Sequence, residues 1–80
     1  YALAYYNRGV LKDNLNNIQE AVNDFSKAIA IEPTYVKALL ARADAYMQMG
    51  VKNKACEDYI AAEKLGNTIA TSKRILNCHN

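Results

Sequence analysis

The chain has 80 residues, 51% hydrophobic and 22% charged, with a formal net charge of +2. That length holds one domain at most, with a thin stability margin, and no apolar run nears the roughly 18 residues that would span a bilayer. The ten Lys and Arg residues are scattered along the chain, which argues against nucleic acid as a partner, because phosphate binders gather such charge on one face.

A first helix is expected over residues 2–15. After it, Ile18, Ala21, Val22, Phe25, Ala28 and Ile29 follow the i, i+3, i+4, i+7 spacing of an apolar helical stripe, and Asn17 with Glu20 reads as a capping box. This helix should stop near Ile31, because Pro33 disfavours helix in the residue before it. Val36, Leu39, Leu40, Ala43, Tyr46 and Met47 form the next stripe, and Gly50 suits the turn that follows. Asn53 is placed to cap a fourth helix carrying Ala55, Cys56, Tyr59 and Ala62, with Gly66 as its stop. Asn67 or Thr68 then caps a short last helix through about Cys78, with Ile69, Ile75 and Leu76 as its apolar residues. No segment alternates apolar and polar residues over strand length, so the fold class is all-α.

Shifted against itself by 34 positions, the sequence aligns Tyr1 with Tyr35, Ala4 with Ala38, Arg8 with Arg42, Ala21 with Ala55, Asp24 with Asp58 and Ala28 with Ala62. Phe25 against Tyr59 and Gly9 against Ala43 are near matches, and the pairs fall where packed helices need a small residue or a large ring.

Catalysis has little material. His79 is the single histidine and lies beside the C-terminus, and no third group is placed to orient a Cys56–His79 pair. Two distant cysteines and one histidine do not make a metal site, and the isolated glycines make no phosphate loop. The expectation is no enzyme, no metal and no cofactor.

Ala21, Phe25, Ala28 and Pro33 in one period, and Ala55, Tyr59 and Ala62 in the next, together with YYNRG and KAIAIEP, resemble the tetratricopeptide repeat. The resemblance implies a right-handed α-α superhelix of two helix-turn-helix repeats, 2–35 and 36–69, with a closing helix at about 68–78. The segment KACEDYIAAEKLGN and the late Cys78 are similar to the bacterial-type closing repeat of an array, and an opening Tyr1 suits an excised segment of a longer chain. Arg8 and Arg42 in place of Leu, Lys12 in place of Tyr and Asn67 in place of Pro depart from the family wording and are expected to weaken individual contacts.

The family's first helices face a concave groove. That places Leu3, Tyr6, Asn7, Val10 and Asp13 beside Lys37, Leu40, Ala41, Asp44 and Gln48. Asn7 and Lys37 match two positions of the family's carboxylate clamp, while Ala41 stands where the clamp carries Arg. The implied function is a protein-interaction module holding a peptide or helix of a partner in this groove. The alternative is a structural or self-associating solenoid segment, joined through an N-terminal edge that no closing helix covers. Lys27, Glu32, Glu57, Glu63 and Lys64 are assigned to a solvated convex face.

If the last two helices form an antiparallel hairpin about Asn67, Cys56 and Cys78 lie equally far from the bend and at the same height. They are either a disulfide, which needs the two Cβ atoms to face each other, or two small buried apolar residues. A disulfide favours an extracytoplasmic, periplasmic location, and free thiols a cytoplasmic one.

Overall fold

The computed structural model describes residues 1–78 as five helices: α1 (Ala2–Asn14), α2 (Ile18–Ile31), α3 (Val36–Met49), α4 (Lys52–Lys64) and α5 (Thr68–Asn77). The fold is all-α, with no strand among the described residues, and each helix packs on the next in stacked hairpins, as in a helical-repeat solenoid. His79 lies outside the described residues.

Three of the four turns close by one device. Asn16, Gly50 and Gly66 sit in the left-handed region at φ 65°, 78° and 93°. The next amide then reaches back across the last helical turn: Asn17 N–H donates to the Lys12 carbonyl at 2.8 Å, Val51 to Tyr46 at 2.9 Å and Asn67 to Ala62 at 3.1 Å. This is the six-to-one bond of a Schellman stop, and Asn tolerates the left-handed position better than most side chains. The fourth turn, between α2 and α3, uses an extended Glu32 ahead of Pro33.

Helix starts depart from expectation twice. Asn17 is the N-cap residue of α2, but its side chain makes no cap bond, and Glu20 instead accepts from Lys12 Nζ at 2.8 Å. Asn53 lies inside α4, which starts at Lys52: Val51 already closes the preceding turn, so the helix restarts one residue after it. Asn67 does cap α5, its Oδ1 accepting the Ala70 N–H at 2.8 Å.

The core is built mostly of alanine around two rings. Ala21, Ala28, Ala38, Ala43, Ala45, Ala55, Ala62 and Ala70 are fully buried, with Phe25 and Tyr59 among the largest buried side chains. Small residues let the helices approach closely, and the Phe25 ring comes up against Gly9. A Cβ on Gly9 would lie 2.6 Å from Phe25 Cε1, inside any real contact distance.

Arg8 and Arg42 correct the expectation of weakened contacts. Arg8 Nε and Nη2 donate to the Asp24 carboxylate at 2.9 and 2.7 Å, and Arg42 repeats this on Asp58 at 2.8 and 2.7 Å. Both aspartates are buried, and two parallel charge-assisted bonds compensate for the water they lose. Arg42 Nη1 also donates to Ser26 on α2 at 3.0 Å, tying one repeat to the next. Lys12, paired with Glu20, and Asn67, capping α5, likewise find polar partners.

A further correction concerns α5. Ile69, Ile75 and Leu76 are 57%, 60% and 72% exposed, and the helix meets the core through Ala70 and Cys78. Ala70, Lys73, Arg74, Asn77 and Cys78 share the helical stripe that leans on the rest of the fold, which leaves the large apolar residues off it.

Candidate partner-binding groove

Helices α1 and α3 touch side by side, and between them Tyr6, Lys37, Leu40, Ala41 and Asp44 line one shallow cleft of about 330 Å³. Tyr6 is flanked by two tilted rings, its centroid 5.9 Å from that of Phe25 and 5.3 Å from that of Tyr35. Burial, helped by Tyr6 and Glu32, pushes the Tyr35 hydroxyl above its ordinary pKa. Lys37 is exposed on the rim, on the first turn of α3.

Asp44 has partners of its own. It accepts from the Tyr59 hydroxyl at 2.5 Å and from Lys73 Nζ at 2.9 and 3.0 Å. Desolvation first, and then the bond to Asp44, raise the Tyr59 pKa well above the usual phenol range. Asp44 therefore belongs to a three-residue polar cluster joining α3, α4 and α5, and its charge is offset by the Lys73 ammonium. Nothing in the repeat period marks Lys73 for this role, because α5 follows a different stripe from α1 and α3.

The remaining groove positions fall elsewhere on the same two helices. Leu3 and Asn7 are exposed and Val10 is half-buried on α1, outside the lining of this cleft. Gln48 Nε2 donates to Asp13 at 3.5 Å, bridging the far ends of α3 and α1.

Two charges assigned to the convex face are also engaged. Glu63 accepts from Arg74 at 2.6 and 3.1 Å, and that bond lowers its pKa. Lys27 lies 5.5 Å from the Tyr5 ring centroid, a cation-π distance.

Cys56 and Cys78 form a disulfide across α4 and the end of α5, with Cα atoms 5.7 Å apart. The bond answers the choice between a bridge and two buried thiols in favour of the bridge. No group of three or more His, Cys, Asp or Glu side chains gathers at metal-binding distance among the described residues.

The tetratricopeptide repeat family matches residues 2–35 and again residues 36–66. DnaJ homolog subfamily C member 7 from Mus musculus is 35% identical over 72 residues, covering 90% of this chain and 14% of that protein. Mitochondrial import receptor subunit TOM70 from Homo sapiens is 37% identical over 57 residues, 71% of this chain and 9% of its own length. The chain thus spans a small part of the curated relatives it matches.

Proposed function

The chain belongs to the tetratricopeptide repeat family, and we propose that it is a protein-interaction module, without catalysis of its own, whose α1–α3 face holds an extended peptide or a helix of another protein. One observation carries the reading: a ring pinned by two others, an apolar floor at Leu40 and Ala41 and the exposed ammonium of Lys37 meet in a single cleft. Apolar area beside a few polar anchors is what a peptide site needs, and a rigid wall lowers the ordering cost of binding. That one relative is an import receptor subunit supports a partner that is itself a protein. Leu3, Asn7 and Val10 would extend the contact along α1. The disulfide supports an extracytoplasmic, oxidising location.

A second reading, self-association through α1, is favoured by the exposure of Leu3, Leu11 and Leu15 at 59%, 57% and 64%. A peptide-library screen by fluorescence polarisation tests the first reading. Lys37→Glu and Asn7→Ala should weaken a selected peptide about tenfold, and Glu57→Ala and Lys64→Ala should leave it within about twofold. Loss confined to the Glu57 and Lys64 variants would sink the groove assignment. Sedimentation velocity checks the second: a monomer at every concentration rules out self-association.

A further inference from the structure

Helix α5 reaches the groove through Lys73, which bonds Asp44, yet little of its own chemistry holds it there. Its one buried residue is Ala70, while Ile69, Ile75 and Leu76 face outward. Two ion pairs help, Lys73 with Asp44 and Arg74 with Glu63, but all four side chains are between 27% and 43% exposed. Water screens such pairs, and a helix of 10 residues does not persist by itself. The remaining attachment is the Cys56–Cys78 bond, at the end of α5 away from its turn. Both cysteines are half-buried and line an open cleft of about 320 Å³ with Lys52, Asn53, Glu57 and Asn77, so a thiol can reach the sulfurs.

We propose that this disulfide is a reducible latch: a dithiol reductant opens it, α5 leaves α4, and Asp44 in the groove loses the Lys73 ammonium. The reductant's thiolate attacks one sulfur and forms a mixed disulfide, expelling the other cysteine as thiolate. The reductant's second thiol then resolves the mixed disulfide. The two cysteines gain two electrons and two protons, and the reductant leaves as its own disulfide. The freed groove carries an uncompensated carboxylate where the oxidised groove carries an ion pair. Its preference shifts toward peptides with a Lys or Arg side chain at that position. This consequence rests on the groove reading, whereas the release of α5 does not.

Amide hydrogen exchange by NMR on the 80-residue chain, oxidised and in dithiothreitol, tests the latch without any ligand. Reduction should speed exchange of the α5 amides at least about tenfold and leave those of α1 to α3 within about twofold. Cys56→Ser and Cys78→Ser should reproduce this without reductant. The Asp44 carboxyl carbon should change its resonance in step, as Lys73 departs. Unchanged α5 exchange, an unmoved Asp44 resonance, or loss of protection along the whole chain would each overturn the proposal, the last by making the bond a plain structural staple. Failure to find any bound peptide would count against the groove and leave these readouts intact.

Discussion

Arg42 clasps the Asp58 carboxylate through both oxygens, Nε at 2.8 Å and Nη2 at 2.7 Å, and directs its third nitrogen to Ser26 on the neighbouring repeat. One guanidinium therefore orders α3, α4 and α2 at once. Replacing it with the apolar residue common at this position would strand a carboxylate whose side chain is 7% exposed. Arg42→Leu should lose about 3 kcal/mol, since removing one partner of a buried pair leaves its charge uncompensated. Arg42→Leu with Asp58→Leu should recover most of that loss. Urea unfolding of the three variants measures both, and a double variant as weak as the single one would contradict the account.

Acid should weaken the fold through the same kind of bond. The hydrogen bond from Arg8 holds the Asp24 carboxyl below its ordinary 3.8, and the bond from Arg74 holds Glu63 below its ordinary 4.5. A carboxyl with a depressed folded pKa stabilises fully above its unfolded pKa and loses that contribution as pH falls through the folded one. Urea midpoints should thus be flat near neutrality and fall below the ordinary carboxylate range. Arg8→Leu should lower the neutral-pH midpoint and make the acid limb shallower. A limb as steep as in the parent chain would remove Asp24 from the explanation.

Gly9 should not tolerate a methyl group. Alanine would gain up to about 1 kcal/mol of helix propensity. Its Cβ would also lie 2.6 and 2.8 Å from two atoms of the buried Phe25 ring, and overpacking of a closed core costs about 1–3 kcal/mol. The second effect wins, so Gly9→Ala should lower thermal stability. Ala43, one period on, holds its methyl against Tyr59, so Ala43→Gly should also destabilise, by leaving a void.

Tyr6 serves the core and the cleft together. Its ring bridges Phe25 and Tyr35, so Tyr6→Ala should cost about 2 kcal/mol by loss of packing, before any ligand is considered. Tyr6→Phe keeps the ring and should stay within about 0.5 kcal/mol of the parent in thermal melts. A peptide that binds the Phe variant more weakly would then report the hydroxyl in the groove rather than a disturbed fold.

By itself the sequence determined the number of helices, their limits to within a residue or two and the repeat register. Apolar spacing, Pro33, and Asn67, Gly50 and Gly66 at helix ends act through the local backbone and need no distant partner. Arg8 with Asp24 and Arg42 with Asp58 were half legible: all four recur at one period, but their pairing depends on how two helices face each other. Only the tertiary structure decided that Asn17 and Asn53 are not side-chain caps, that Glu63 belongs to Arg74, and that Lys73 reaches Asp44. It also decided which stripe of α5 turns inward: Ala70 permits a close approach that Ile69 or Leu76 would prevent, and the Cys56–Cys78 bond sets the rotation of that helix.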